Sequence, residues 1–279
     1  LTISDGALNS VSGQLNFQQL DLRPYVNKKS LTTEQPESST SATSAPAVSI
    51  IPERTFDLDW LPSSVLMLDL SIEKLMAPGF QLDKVTANIK HSQQRFEINP
   101  FAAVVSDGPL RGRLMLDDTG AHPQVAIYLE GRQLPAGESQ LFEDVKLVKS
   151  GKVDVLVSLS SAGSNLKELL AKSNGRISLV THDATMNGPG LDEIAPGIIT
   201  EINQRINPFS RKKQQDTKVE CGLVHFDIDQ GLMTADQSIV LVTPNISFGA
   251  HGVIDFNKER LRLQLVPRTR KGLGLSFKG

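Results

Sequence analysis

The sequence predicts a mainly β fold, built as one long, curled antiparallel β-sheet of about 12–16 strands with two short amphipathic helices. Three observations lead to this prediction: apolar residues alternate with polar ones in many stretches, a glycine-led strand motif recurs, and only two segments have helical spacing. A sheet this wide has to curl, split or flatten. We therefore expect a β-groove or half-barrel.

The alternation is clearest in five stretches of the main body. Residues at alternate positions of a strand point to the same side, and strands with one apolar face are typical of antiparallel sheets. An open trough would expose these residues to a ligand, whereas a closed sandwich would use them as its core. The apolar sets are Leu66, Leu68, Leu70 and Ile72; Val85, Ala87 and Ile89; Val125, Ile127 and Leu129; Val153, Val155, Val157 and Leu159; and Leu261, Leu263 and Leu265.

A short motif recurs along the chain, in which a glycine is followed by apolar residues at the second and fourth positions after it. Together with the turn residues between strands, it predicts a meander of repeated hairpins. The intervals between copies are irregular, which excludes a strict solenoid. The motif begins at Gly13, Gly112, Gly151, Gly175 and Gly252.

Two segments have the period of an amphipathic helix. In 163–179, Asn165 and Glu168 resemble a capping box, Leu166, Leu169 and Leu170 form one apolar face, and Gly175 supplies a stop. We expect this helix to cap one end of the apolar side of the sheet, permanently or as a gate. The second helix is predicted in 191–209, where five isoleucines form a stripe and Pro208 ends the pattern.

Composition divides the chain into three parts. Residues 1–26 are predicted to form a hairpin-like piece of the same sheet, and residues 53–279 form the main β domain. Between them, residues 27–52 are rich in Ser, Thr, Ala and Pro, as expected of a flexible linker or loop. No run of about 18 apolar residues occurs. The chain begins without Met, so we expect it to be a piece of a longer protein.

The sequence predicts neither a catalytic nor a metal site. Its five histidines lack the spacing of metal ligands and are expected at the surface or in turns, and Cys221 has no partner thiol. A net charge of −2 and 5% aromatic residues disfavour nucleic-acid binding. The basic residues Arg268, Arg270 and Lys271 are either a solvated tail or contacts for anionic lipid headgroups.

The second half of the chain contains a series of sequence elements that resembles, in the same order, the carboxy-terminal region of the AsmA family. The short helix is followed by "NG" and a strand, and later elements keep the family's order up to a final alternating strand closed by proline. The resemblance is close over 160–270 and weaker over 55–160. The residues that carry the later part are Cys221, Phe226, Ile228 and Gly231, then Thr243, Pro244, Gly249, Gly252, Ile254, Asp255 and Pro267.

The resemblance implies a periplasmic protein of Gram-negative bacteria, tethered to the inner membrane by an upstream helix that this chain lacks. It also implies phospholipid as the ligand, no cofactor, and a role in outer-membrane biogenesis and lipid movement between the membranes. The alternating apolar residues would line the lipid groove, and envelope proteins are further expected partners. Two alternatives stay open: a scaffold for outer-membrane protein assembly without a lipid conduit, and, more remotely, an enzyme acting on envelope polymers.

Overall fold

The computed structural model describes residues 2–4, 10–24, 51–56, 64–78, 80–136, 148–186, 216–244 and 246–270. These residues contain thirteen strands and one helix. The strands are β1 (Thr2–Ser4), β2 (Ser10–Asp21), β3 (Val65–Ala77), β4 (Phe80–Ser92), β5 (Arg95–Val105), β6 (Gly108–Asp117), β7 (Gln124–Pro135), β8 (Val148–Ala162), β9 (Asn174–Met186), β10 (Thr217–Asp229), β11 (Leu232–Val242), β12 (Ile246–Asp255) and β13 (Arg260–Thr269). The helix is α1 (Leu166–Ala171), between β8 and β9.

All thirteen strands belong to one sheet, and their order in space is their order in the chain. This meander forms because short turns join most successive strands, so each strand pairs with the one before it. The mainly β fold, with one open curled sheet, is therefore confirmed. Of the two predicted helices the described residues contain α1, and the segment 191–209 lies outside them.

One pair of strands departs from the predicted antiparallel pattern. β1 pairs with β2 in antiparallel fashion, but β2 pairs with β3 in parallel. A parallel pair needs a long crossover connection, and the forty-odd residues between Asp21 and Val65 are enough for one. The sequence could not fix this direction, because alternation within a strand contains no information on the orientation of its neighbour.

Bulges interrupt several strands at similar places in the sheet. Lys84, Gln133, Asp183 and Gln237 lie within strands yet have φ values between 50° and 53°. Three of them coincide with a register shift against the following strand, and Asp183 lies beside a shift between β8 and β9. A bulge bends its strand and increases the local twist, so these positions help the wide sheet to curl.

The larger of the two buried clusters in the described residues lies on β3 to β7. Ile72, Val85, Val105 and Leu134 are each 2% exposed and belong to one buried cluster. Residues from β3 to β7 contribute to this cluster. In the described residues, however, extended contacts between elements occur only between neighbouring strands and between α1 and β8. We attribute this burial to curling of the sheet around its own apolar side. A second, smaller cluster is formed by Ala184, Met186, Val219 and Leu241.

Candidate functional site

One side of the sheet is apolar from β2 to β13. Residues directly opposite each other in neighbouring strands have side chains on the same side, so the strand register identifies this surface. We call it the apolar face. One row of paired residues crosses it from strand to strand: Gly13, Leu68, Ile89, Ile98, Leu114, Ile127, Leu159, Gly175, Ile228, Met233, Ile254 and Leu261.

The structure brings all the alternating apolar candidates to this face. Each of the five sets contains a member of the row above, or a cross-strand partner of one, and alternation places the other members on the same side. Leu70, for example, is opposite Ala87, and Leu129 is opposite Val157. The shared face was thus predictable from the sequence strand by strand.

Burial differs strongly among these candidates. Val85 is 2% exposed and packs in the main cluster, whereas Ile127 is 40%, Leu263 50% and Leu261 66% exposed. The remaining candidates are half-buried: Leu66, Leu68, Leu70, Ile89, Val125, Leu129, Val153, Val155, Val157 and Leu265. The apolar face is therefore filled in one part and accessible in others.

Helix α1 lies over one end of the apolar face. Ser161 is paired with Val125 in the register, so its side chain belongs to this face, and its hydroxyl donates to the Leu169 carbonyl at 2.5 Å. Leu166 is 41% exposed, while Leu169 and Leu170 are half-buried. No residue of α1 is buried, so the helix rests on the sheet without inserting a side chain into a closed core.

Asn165 is the N-cap of α1, as predicted, but the second hydrogen bond differs from that of a capping box, because Glu168 accepts from the residue before the N-cap. The Asn165 side chain accepts from the Glu168 amide at 2.8 Å, and a Glu168 carboxylate oxygen accepts from the Ser164 amide at 3.1 Å. This backbone hydrogen bond lowers the pKa of Glu168. The end of the helix was predicted wrongly: Lys172 is the C-cap, and Gly175 already lies in β9.

Polar contacts fix α1 to segments from distant parts of the chain. The Lys167 ammonium lies 2.7 Å from a Glu53 carboxylate oxygen and 3.4 Å from one of Glu259, in the turn before β13. The Phe56 amide donates to the Ser164 carbonyl. Gly231, with φ +74°, lies so close that a Cβ there would be 2.5 Å from the Ala171 oxygen. The helix thus bridges residues 51–56 and the β10–β11 and β12–β13 turns.

The headgroup candidates are not equivalent in the structure. Arg268 is exposed. The Arg270 guanidinium instead forms an ion pair with Glu220 and donates to the Thr243 carbonyl at 2.7 Å, which leaves its charge partly neutralised. Lys271 lies outside the described residues.

His91 contradicts the expectation that the histidines lie at the surface or in turns. It is 3% exposed, its Nδ1 is 3.2 Å from the Ser64 carbonyl oxygen, and its Nε2 has no hydrogen-bond partner among the described residues. The register pairs it with Leu66 and Phe96, so it occupies an apolar-face position that the sequence pattern did not reveal. The described residues contain no cluster of three or more potential metal ligands.

The opposite side of the sheet, which we call the polar face, has a cavity of about 540 Å³ across β5 to β9. Arg113 lies over the Tyr128 ring, 5.2 Å from its centroid. The Tyr128 hydroxyl donates to Glu130 at 3.0 Å, which raises the pKa of Tyr128. Sequence analysis did not single out these residues. Their position on the polar face could have been predicted from the sequence, because they alternate with the apolar candidates: Tyr128, for example, lies between Ile127 and Leu129.

The family model described as the AsmA family matches residues 4–237, which is well over half of the chain. The chain belongs to the AsmA family. The match begins near the amino terminus and ends within β11, whereas the resemblance seen in the sequence continued to Pro267. Family membership is consistent with a role in the cell envelope, in lipid handling or outer-membrane biogenesis.

No curated protein and no solved structure matches the chain significantly. Among the described residues, no helix is long and apolar enough to cross a membrane.

Proposed function

We propose that this AsmA-family chain is a periplasmic lipid-handling module whose apolar face shelters phospholipid acyl chains during transport between the inner and outer membranes. The observation that carries the proposal is the row of paired residues from Gly13 to Leu261, which makes one apolar surface across twelve strands. In the full protein, an upstream helix would tether the module to the inner membrane.

The proposal gives the exposed apolar residues a physical role. An acyl chain of about 15 methylenes costs roughly 12 kcal/mol to expose to water, at about 0.8 kcal/mol per CH₂. A surface that covers the chain with residues such as Ile127 and Leu263 removes much of this cost without any chemical step. Large exposed apolar patches are uncommon on soluble proteins and mark interaction sites.

Loading of delipidated protein with phospholipid tests the proposal. The protein is incubated with phosphatidylglycerol vesicles, separated from them and analysed for bound lipid by mass spectrometry. We expect bound lipid in the wild type and a clear loss in a Leu261→Asp/Leu263→Asp variant. Arg260→Asp/Arg262→Asp is the matched control on the other side of β13, because it introduces the same residues without changing the apolar face. Wild-type protein that carries no lipid would contradict the proposal.

The scaffold alternative is favoured by the buried cluster around Ile72 and Val105, because this part of the apolar face is already filled by the protein itself. A scaffold would use its edges and polar face for protein partners and hold no lipid. Cross-linking in the native envelope that captures protein partners from the edges and the polar face, but never lipid from the exposed apolar positions, would support this function.

Helix α1 would bound the lipid site next to Val125, and its shallow packing favours a gate over a permanent plug. Leu169→Asp is the test, because Leu169 is half-buried beside the apolar face. As a gate, α1 should tolerate this change with an unaltered melting temperature and faster loss of bound lipid. Leu166→Asp, at an exposed position, is the control. Unfolding of the Leu169→Asp variant would identify a permanent plug.

A further inference from the structure

We propose that the cavity on the polar face binds an anionic saccharide, and that the Arg113 guanidinium pairs with the anionic group of this ligand. The cavity crosses β5 to β9 and is lined by Arg95, Glu97, Asn99, Arg113, Tyr128, Ser158 and Ser160, among others. The proposal does not depend on lipid binding, because the sheet separates this cavity from the apolar face.

The strand register places the polar lining side chains on the side opposite the apolar face. Arg113 is paired with Tyr128, and Tyr128 with Ser158, so these three form a row across β6, β7 and β8. A parallel row contains Glu97, Met115, Ala126 and Ser160. The apolar residues Leu114, Ile127 and Leu159 lie between the two rows, with their side chains on the other side of the sheet.

Two described arginines line the cavity, and they differ in their contacts. Arg95 is engaged by Glu97, which its Nε contacts at 2.7 Å, and by Asp117 at 3.9 Å. Among the residues that the structure describes, no carboxylate lies within ion-pair distance of Arg113, which lies over the Tyr128 ring instead. Among the described lining residues the one acidic side chain is Glu97, which is already paired with Arg95, so one positive charge of this part of the lining is left over for a ligand.

Arg113 is also held in a defined position. The Tyr128 hydroxyl donates to Glu130, and Glu130 also accepts from the Arg132 Nε at 2.7 Å. This series of hydrogen bonds holds the Tyr128 ring in place. A guanidinium over an aromatic ring is held there by the cation–π attraction, which uses none of its N–H groups as hydrogen-bond donors. This planar set of donors fits a carboxylate or phosphate in a bidentate manner.

The size and lining of the cavity point to more than a bare anion. Its volume of about 540 Å³ is in the range of small-molecule sites and far exceeds one phosphate group. Ser158, Ser160 and Asn99 add hydroxyl and amide groups that can exchange hydrogen bonds with a ligand rich in hydroxyl groups. A sugar that carries a phosphate or carboxylate combines both features.

Calorimetric titration of the whole chain with glucose 1-phosphate tests the proposal, with glucose and inorganic phosphate as comparison ligands. We expect saturable binding of glucose 1-phosphate with a Kd below about 1 mM, and at least tenfold weaker binding of either comparison ligand. Arg113→Gln should weaken glucose 1-phosphate binding about tenfold or more. Arg113→Lys should weaken it less, because a lysine keeps the charge but not the planar donors.

Arg262→Gln is the matched control, because it removes the same charge from an exposed arginine on β13, far along the sheet from the cavity. It should leave binding unchanged. Three results would overturn the proposal: no saturable binding by the wild type, an equal loss in Arg262→Gln and Arg113→Gln, or phosphate binding as tightly as the sugar phosphate. Circular dichroism of each variant shows whether the sheet is intact.

Discussion

Two regions of the same apolar face differ in how far they are closed. Around Ile72 on β3 and Val105 on β5, side chains from five strands exclude almost all solvent. At Leu261 and Leu263, on β13, side chains of the same type and spacing are at least half exposed. The alternating pattern therefore determines which side of the sheet a residue faces, while the bending of the sheet determines whether that residue becomes core or an accessible surface.

The largest difference between the regions should appear in stability. Replacing Ile72 by Ala leaves a cavity in a close-packed cluster and should cost about 2–5 kcal/mol. Leu261→Ala removes an exposed side chain and should change the free energy of unfolding by less than about 0.5 kcal/mol. Urea unfolding of both variants measures the difference. Similar losses in the two variants would mean that β13 is packed as tightly as β3.

Substitutions at two glycines compare the same two regions, with a smaller expected effect on stability. A Cβ at Gly131 would lie 2.6 Å from a Leu134 methyl group, whereas a Cβ at Gly249 would meet its nearest neighbour at 3.9 Å. Gly131→Ala overpacks the closed region and should cost about 1–3 kcal/mol. Gly249→Ala should have little effect. Thermal unfolding of both proteins checks this, and a neutral Gly131→Ala would show that the closed region has room to relax.

The cap of α1 tests how firmly the helix bounds the apolar face beside Val125. Asn165→Ala removes the acceptor of the Glu168 amide and should destabilise the helix by about 1 kcal/mol. Hydrogen exchange of the Leu169 and Lys172 amides should become faster, while the amides of the closed region stay protected. Asn16→Ala, at an exposed position on β2, is the control. Unchanged exchange in α1 would show that other contacts hold the helix.

The smallest expected effect is a pH dependence of the same helix. The Ser164 amide lowers the pKa of Glu168 below its ordinary value of 4.5, because it stabilises the carboxylate. The folded pKa is the lower one, so this contribution to stability is complete above pH 4.5 and is lost as the pH falls through the folded pKa. NMR titration of the Glu168 carboxyl carbon should give a midpoint below 4.5. A higher midpoint would contradict the observed geometry.

The sequence was informative where local periodicity determines the structure. Sets such as Leu66, Leu68 and Leu70 lie on one side of a strand because the backbone period is two, so their shared face follows directly. The Asn165 cap was equally local. The parallel pairing of β2 with β3 was not predictable, since it depends on the path of a long connection.

Burial and the polar cavity were not predictable from the sequence either. Lys84 and Gln133 adopt positive φ at bulges where the sequence gives no glycine signal, and the resulting curl decides that Val85 is core while Ile127 is accessible. The contact of Arg113 with the Tyr128 ring joins neighbouring strands whose register became known only from the structure.

Photo-crosslinking in the native envelope tests the central claim most directly, with a photoreactive residue placed in turn at Leu68, Ile127 and Leu263, and at Arg262 as a control on the polar face of β13. A lipid-accessible apolar face predicts phospholipid adducts at all three apolar positions and none at the control. Absence of lipid adducts at all three positions, in protein shown to be folded, would contradict the account and leave the apolar face as a packed core.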